Sequence, residues 1–224
     1  QAGTLARLAG APFLFGTVAY TPDREPLNSA VLLDGRGRLA GRYDKRMLVP
    51  FGEYIPWGFG WIGKISSEAG NYAAGGTSGR LVAGSRSVGV FICYESAFPH
   101  LVRELAGQGA PVLVNLTNDG YFGKSYAPRS QHVMLARMRA VENRRWLLRV
   151  ANDGLTGSID PAGRMHDPLP EFKKMAGRLR YAETGETSVY SRYGDWFAWG
   201  CLVLGTGLWL LAQMPVYRPL PKSG

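Results

Sequence analysis

An uncharged segment near the C-terminus limits what this chain can fold into more than any other feature. The segment WFAWGCLVLGTGLWLLAQM, from Trp196 to Met214, contains no charged residue, and Gln213 is its only strongly polar side chain. A helix needs about 20 apolar residues to cross a bilayer core, and core helices rarely run this long without a charge. We therefore predict a transmembrane helix at 195–214, with a buried core helix as the alternative.

Charged residues on both sides of this segment give it an orientation. Arg192 precedes it, and Arg218 and Lys222 follow it. Basic residues favour the cytoplasmic side of a membrane helix, so the last two predict a cytoplasmic tail at 215–224. Residues 1–194 would then form a domain on the outer face, although Arg192 and other upstream basic residues weaken this assignment.

The net charge and the metal-binding residue types narrow the possible partners. The formal net charge of +9 at pH 7 is compatible with nucleic acid or an anionic membrane surface. The arginines are dispersed along the chain instead of forming one basic block, and the apolar segment favours the membrane. The three histidines are scattered, and no C-x-x-C or H-E-x-x-H motif occurs, so we predict no metal site.

Upstream of the apolar segment, strand and helix patterns alternate. Apolar and β-branched runs predict strands, and apolar residues at helical spacing predict helices. The predicted strands are 13–20 (a buried strand), 28–34, 39–45, 80–84, 87–96, 111–119 and 146–153, with a hairpin at 155–165. The predicted helices are 99–110 and 130–145, the second with Val133, Met134, Met138 and Val141 on one face. This order favours an α/β layered sandwich over a pure doubly wound sheet.

Cys93 ends an apolar strand in the segment VFICYES and begins the turn into the helix at 99–110. Such a turn exposes a nucleophile and offers backbone N–H groups to an oxyanion, and a nearby cation lowers a thiol pKa. The alternative is a buried small hydrophobic side chain, which cysteine often is. The other cysteine, Cys201, lies within the apolar segment, and we predict no role for it. Two isolated cysteines predict no disulfide framework.

Polar residues at other strand ends are candidates for the same site. Lys45 ends a strand in GRYDKRMLVPFGEY, and Glu53 follows it. Together with Glu95 these side chains would meet beside Cys93, whereas a solvated surface lysine is the alternative. Asn118 ends a third strand, where an ordinary turn is the alternative.

His132 lies on a predicted helix. We interpret it as a structural or pocket-wall residue and not as the base of a Cys–His pair.

Several segments together resemble one family. They are GRYDKRMLVPFGEYIP, GVFICYESAFP, LVNLTNDGYFGKS, QHVMLARMRAVENRR and GSIDPAGR. In this order they are similar to the carbon–nitrogen hydrolase (nitrilase) superfamily, and within it to the bacterial apolipoprotein N-acyltransferases. The resemblance covers almost the whole chain. It implies a nitrilase-like αββα sandwich over residues 1–194, incomplete at its N-terminus, followed by the transmembrane helix.

The resemblance also implies the roles of the site residues. The family uses a Glu–Lys–Cys triad without a cofactor. Cys93 matches the nucleophile, Lys45 matches the lysine that stabilises the oxyanion, and Glu53 and Glu95 match two further acids of the site.

We expect four residues to contact substrate. They are Tyr94, which follows the nucleophile as in the family, Asn118, and two tryptophans, Trp57 and Trp61. The tryptophans lie in the aromatic segment 54–65, which fits no regular period and predicts a loop. Since tryptophan favours the membrane interface, this loop would touch the bilayer and guide lipid to the site. The alternative is a loop packed on the domain surface.

One part of the family pattern is not matched. The family's general-base glutamate lies well upstream of the lysine motif, but only Glu25 precedes Lys45, in the loop segment TPDREPLN. Tyr121 also stands where the family usually has tryptophan. We therefore expect this chain to be the C-terminal portion of an enzyme, as a fragment, a truncated gene product or a degenerate copy, and to be inactive by itself.

The implied reaction is a two-step acyl transfer. Cys93 would take an acyl chain from a membrane phospholipid as a thioester, and the N-terminal amine of the diacylglyceryl-cysteine of an apolipoprotein would receive it. The implied partners are therefore a phospholipid donor, a lipoprotein acceptor and a membrane, without nucleic acid. The enzyme would be a monomer in the bacterial inner membrane, with its catalytic domain on the periplasmic face. Two alternatives are a nitrilase-type amidase acting on a small amide, and a non-catalytic membrane-tethered remnant.

Overall fold

The computed structural model describes residues 1–59 and 71–214. The chain divides after Arg192 into two compact units. Trp61 and the tail at 215–224 lie outside the described residues, so the expectations for them stay predictions. The same holds for the second half of the predicted 54–65 loop.

The first unit contains all the strands of the described residues. The strands are β1 (Phe13–Tyr20), β2 (Pro26–Leu33), β3 (Leu39–Asp44), β4 (Arg80–Ala83), β5 (Arg86–Ile92), β6 (Val112–Asn118), β7 (Trp146–Asn152), β8 (Thr156–Ile159) and β9 (Met165–Leu169). The helices are α1 (Ala2–Ala9), α2 (Pro99–Gly107), α3 (Tyr126–Asn143), α4 (Val189–Tyr193) and, in the second unit, α5 (Trp196–Gln213).

A three-stranded antiparallel sheet is formed by β1, β2 and β3, in that order. The predicted hairpin of β2 and β3 is confirmed. The prediction that residues 13–20 form a buried strand is right about the strand and wrong about its burial, because Val18 and Tyr20 are exposed. The strand lies at the edge of its sheet, where apolar side chains have fewer neighbours to cover them.

A six-stranded sheet is formed by β4 to β9 in sequence order. The three central strands, β5, β6 and β7, run parallel, and the outer pairings are antiparallel. Parallel neighbours need crossover connections, and α2 and α3 supply them. Gly84 turns β4 into β5 with a positive φ of 63°, a conformation that glycine adopts without strain. The predicted mixture of crossovers and hairpins is thus confirmed.

The two sheets pack face to face. One core cluster joins Ala30 and Tyr43 of the first sheet to Val90, Ile92 and Val114 of the second. A second cluster packs α2 and α3 onto the other face of the six-stranded sheet. The carboxyl ends of β5 and β6 therefore emerge between the helix layer and the three-stranded sheet, which places the Cys93 turn between these two layers.

The orientation of α3 is unusual for an amphipathic helix. An apolar helix face ordinarily packs on the core, but Met134 and Met138 are 55% and 52% exposed. The buried side chains of α3 are instead small or polar: Arg129, His132, Ala136, Arg139, Ala140 and Asn143. The arginines and the histidine can be buried because each donates to a carbonyl oxygen.

The second unit contains the apolar helix α5. This helix has 18 residues and a mean hydropathy of 1.3, and by length and composition it could cross a membrane. None of its side chains is buried. Those features are consistent with the predicted transmembrane helix and do not fit the alternative of a core helix.

Candidate active site

The turn that carries Cys93 connects β5 to α2. Residues Cys93–Ala97 form a single 3₁₀ turn directly after β5, and α2 begins at Pro99. The predicted strand–turn–helix unit is therefore present. The thiol side chain is half-buried, and Cys93 adopts a positive φ of 51°, which is uncommon for a residue with a Cβ. Such backbone strain persists only where surrounding contacts hold it, and it occurs often in active sites.

Glu95 connects this turn by hydrogen bonds to the segment that follows β3. Its Oε1 accepts hydrogen bonds from the Tyr43 hydroxyl at 2.7 Å and from the backbone N–H groups of Arg46 and Met47 at 2.7 and 3.1 Å. Its Oε2 accepts from the Ile92 N–H at 2.7 Å. Arg46, which follows Lys45, is thereby hydrogen-bonded to Glu95, which lies two positions after Cys93.

The buried setting of Glu95 changes the pKa of two groups. Burial raises the pKa of the Glu95 carboxyl above its usual value, although four hydrogen bonds oppose the change. Burial and the neighbouring Glu95 raise the pKa of the Tyr43 hydroxyl as well, so this hydroxyl stays protonated and donates.

Lys45 lies buried at the end of β3 and forms an ion pair. It is 1% exposed, and its Nζ is 2.7 Å from Oε2 of Glu53. The same carboxylate accepts from the Val49 N–H at 2.8 Å and from the Asn28 side-chain amide at 2.8 Å. Asn28 also binds Lys45 directly, because its carbonyl accepts the Lys45 backbone N–H at 2.8 Å. The ammonium group is therefore paired with a carboxylate that two further hydrogen bonds hold in place.

The structure thus brings the four predicted catalytic residues to one region. Cys93 and Glu95 share a turn, Lys45 and Glu53 share an ion pair, and the Arg46 N–H joins the two groups. A buried ammonium group in this region can balance the negative charge of a thiolate or of an oxyanion. Among residues 1–59 and 71–214, no cluster of three or more His, Cys, Asp or Glu side chains could hold a metal ion.

The residues expected to contact substrate lie in differing surroundings. Tyr94 is half-buried and packs edge-on against Phe98 at 5.2 Å. Trp57 is 99% exposed. The Asn118 side chain accepts a hydrogen bond from the Gly120 N–H at 3.2 Å, which is a turn-capping contact of the kind that the alternative interpretation expects.

Three buried polar residues next to the turn were not predicted as a group. The carboxylate of Asp119 binds Nη2 of Arg149 at 2.8 and 2.9 Å and lies 3.1 Å from Nδ1 of His132. The other ring nitrogen of His132 lies 3.0 Å from the Cys93 carbonyl oxygen. Burial alone would raise the pKa of Asp119, but the bond to His132 and the charge of Arg149 outweigh it and lower that pKa. The interpretation of His132 as a structural residue agrees with these contacts.

A signal for this network exists in the sequence. Arg129, His132, Arg139 and Asn143 recur at helical spacing and define a polar face of α3 opposite its apolar one. Asn28 was also missed, and its signal is the one amide side chain in β2, a strand whose other residues except Ser29 are apolar. Tyr43 gave no signal, because a tyrosine in a strand is ordinary.

Comparison with known proteins identifies the family of the chain. Residues 4–187 match the family model described as carbon-nitrogen hydrolase. A curated apolipoprotein N-acyltransferase of Geobacter metallireducens is 41% identical over 88% of this chain and 39% of its own length. Proteins of the same name from a Synechocystis species and Azotobacter vinelandii are 37% and 34% identical over 82% and 86% of the chain. This chain spans about two fifths of the length of these relatives.

Solved structures share the fold. An amidase from a Nesterenkonia species is 23% identical, with a TM-score of 0.57 over 75% of this chain and 60% of its own. A carbon–nitrogen hydrolase from Helicobacter pylori is 17% identical, with a TM-score of 0.61 over 75% of this chain and 60% of its own. The predicted nitrilase-like α/β sandwich is therefore confirmed. The family model and the curated relatives agree with the resemblance seen in the sequence motifs, and the chain belongs to the carbon–nitrogen hydrolase family.

Proposed function

We propose that this chain is the catalytic part of an apolipoprotein N-acyltransferase, which acts in lipoprotein maturation. The enzyme would move an acyl chain from a phospholipid to the N-terminal amine of diacylglyceryl-cysteine on an apolipoprotein. The observation that carries the proposal is the Lys45–Glu53 ion pair joined through Glu95 to the Cys93 turn, in a chain whose curated relatives bear that name.

The first half-reaction loads the thiol. The Cys93 sulfur attacks the ester carbonyl of the phospholipid, so that a carbon–sulfur bond forms and the acyl carbon–oxygen bond breaks. The proton of the thiol leaves with the lysophospholipid alcohol. Lys45 balances the negative charge on the tetrahedral oxygen, and Glu53 keeps the ammonium in place.

The second half-reaction transfers the acyl group. The neutral amine of the acceptor attacks the thioester, the carbon–nitrogen bond forms, and the carbon–sulfur bond breaks. A proton from the amine returns to the Cys93 sulfur. Lys45 and Glu95 are 1% and 0% exposed, so little water reaches the floor of the site. This favours the amine over hydrolysis of the thioester.

The proton transfers need a base. Both Glu53 and Glu95 are engaged in hydrogen bonds that hold the site together. Glu25 lies in an exposed turn, where its N–H donates to the Thr21 hydroxyl. We therefore expect no turnover from the 224-residue chain alone. Measurable transfer by that chain would mean that Glu25 or another acid acts as the base.

Membrane placement follows from two features. Residues 195–214 would span the inner membrane, with 215–224 in the cytoplasm and the catalytic domain on the periplasmic face. The segment at Trp57 would touch the bilayer. Phe51 and Phe59, which stack edge-on at 5.6 Å, are partly exposed nearby in sequence and extend the apolar surface.

The test uses the full product of the gene that encodes this chain, in phospholipid vesicles. After incubation, intact mass spectrometry should show a gain of one acyl group, and the Cys93→Ala variant should show none. Met138→Leu, on the exposed face of α3, serves as the matched control and should acylate normally.

Two results would contradict the transferase. Absence of acylation together with turnover of small amides would favour an amidase. Absence of both would favour a non-catalytic remnant.

A further inference from the structure

Two side chains of α3 hold the carbonyl groups of the Cys93 turn. Nε2 of His132 lies 3.0 Å from the Cys93 carbonyl oxygen. Nη1 of Arg139 donates to the Ser96 carbonyl at 3.2 Å. Both donor side chains are buried, and the contact to the Ser96 carbonyl is buried while that to the Cys93 carbonyl is partly buried.

The proton on His132 can be assigned from its partners. A carbonyl oxygen only accepts hydrogen bonds, so the Nε2 that faces Cys93 carries a proton and donates it. Nδ1 lies 3.1 Å from the Asp119 carboxylate and 3.4 Å from Nη2 of Arg149, and these two contacts fix the plane of the ring. The edge of the Phe122 ring, with its centroid 5.8 Å away, limits movement on another side.

Asp119 is itself held in place. Arg149, which is fully buried, pairs with both of its carboxylate oxygens and donates from Nη1 to the Leu155 carbonyl at 2.6 Å. A side chain at Gly154 would collide with the Asp119 carboxylate, so this position leaves room for the acid. A chain of contacts thus runs from β7 through Asp119 and His132 to the backbone of Cys93.

The backbone of Cys93 needs such a support. Its φ of 51° lies in the left-handed region, which residues with a Cβ adopt only where neighbours hold them. Within the described residues, the contact from His132 is the one side-chain hydrogen bond that the Cys93 backbone receives. Loss of this bond would let the carbonyl rotate and the thiol change direction.

We propose that His132 is a positioning residue for the nucleophile. Its Nε2–H bond to the Cys93 carbonyl, braced by Asp119 and Arg149, keeps Cys93 in the left-handed conformation and holds the thiol in one orientation. His132 does not act on the thiol proton, because its ring nitrogens are engaged with the Cys93 carbonyl and Asp119. The catalytic consequence rests on the proposed acyl transfer, whereas the positioning itself does not.

The experiment measures thiol reactivity without any lipid substrate. The 224-residue chain carries Cys201→Ala, since Cys201 is exposed and would also react. Alkylation of Cys93 by iodoacetamide is followed by intact mass, and amide hydrogen exchange is followed over residues 93–97. His132→Leu removes the donor, and His132→Gln keeps an amide N–H at a similar reach. Met138→Leu, on the opposite exposed face of α3, is the control.

We expect His132→Leu to lose thiol reactivity and protection of the turn, and His132→Gln to retain both. His132→Leu should slow alkylation at least tenfold and accelerate exchange in the turn at least tenfold. His132→Gln should stay within threefold of the parent, and the control should match it. If His132→Leu does not fold, His132→Asn replaces it, because asparagine is polar but too short to reach the carbonyl.

Two outcomes overturn the proposal. Parent-like alkylation and exchange in the variants without the donor would show that the turn does not need it. An equal loss in His132→Gln and His132→Leu would show that the ring only fills space.

If the parent thiol itself reacts no faster than cysteine in an unfolded peptide, the acyl-enzyme function loses support. In that case the exchange rates alone decide: unchanged exchange in His132→Leu overturns the role of His132, and faster exchange supports it.

Discussion

At the scale of single residues, the buried charge of Lys45 depends on Glu53. An ammonium group with 1% exposure cannot be solvated by water, and its 2.7 Å contact with the carboxylate replaces that solvation. The acid is partly accessible, at 14% exposure, so the pair is weaker than a fully buried one. Even so, removal of the acid would leave an uncompensated charge inside the protein.

Glu53→Gln should therefore destabilise the fold. We expect a loss of roughly 3 kcal/mol in the free energy of unfolding, the lower end of the range for breaking a buried pair. Urea unfolding followed by circular dichroism measures it. The matched control is Glu104→Gln, whose partner Arg46 is 32% exposed in a pair of similar length, and it should cost less than about 1 kcal/mol. Equal losses in both variants would mean that the Lys45 charge is stabilised by something other than Glu53.

At the scale of elements, the β8–β9 hairpin is closed by a single acid. Asp160 accepts backbone N–H bonds from Ala162 and Arg164 at 2.9 Å, and its other oxygen binds Nε of Arg164 and Nε2 of His166. Burial on its own would raise the pKa of Asp160, but the bonds from His166 and Arg164 outweigh it and hold that pKa well below the usual 3.8. The ionised acid is thus the form that the folded hairpin prefers.

This preference predicts an acid-dependent loss of stability. Because the folded-state pKa of Asp160 is depressed, its contribution is fully present above pH 3.8 and is lost as the pH falls toward the folded value. Asp160→Asn should lower stability at pH 7 and flatten the decline below pH 3.8, as measured by thermal unfolding at several pH values. Ala162→Ser, in the same turn, should leave the slope unchanged. If the stability of Asp160→Asn fell with pH as steeply as that of the parent, the prediction would be contradicted.

The buried face of helix α3 carries polar side chains that bond to turns near the candidate site, and not the large apolar side chains of a core. On its buried face, Arg129, His132 and Arg139 donate hydrogen bonds to backbone carbonyl groups of neighbouring turns. The small residues Ala136 and Ala140 pack in the core on the sheet, whereas the apolar side chains of Met134 and Met138 face outward. The hydrophobic period of a helix therefore does not always mark its core side.

At the scale of the whole molecule, the chain combines a two-sheet unit with an apolar helix. Trp57 and Phe59 belong to the first unit, and their side chains are exposed in a protein proposed to act at a lipid surface. Trp57 should insert into the interface, since tryptophan favours the depth of the headgroups.

Quenching of tryptophan fluorescence by brominated phospholipid tests this insertion in the vesicle-bound protein. Trp57→Ser should remove intensity that the lipid quenches. Trp146→Ser is the control, because Trp146 lies in β7 against the His166 ring, and it should remove only intensity that the lipid does not quench. If the quenched fraction is the same in both variants, the segment does not reach the bilayer.

Local sequence patterns were sufficient to predict most elements. The apolar run into Cys93 predicted β5 and its turn, and the uncharged segment predicted α5. The relevant physics is local, because side-chain period, turn residues and charge-free length act within a few neighbouring residues. Lys45, Glu53 and Glu95 were identified through motif resemblance, and the structure places them in one region with Cys93.

The sequence by itself thus determined which residues form strands, turns and the apolar helix, and which side chains are candidates for chemistry. Only the tertiary structure decided which face of α3 is buried, that no residue of β1 is fully buried, and what surrounds Cys93. Tyr43 meets Glu95 across 52 positions of the chain, and His132 meets Cys93 across 39. Contacts at such separations depend on how the two sheets and α3 pack together, and no periodicity within a single segment encodes that packing.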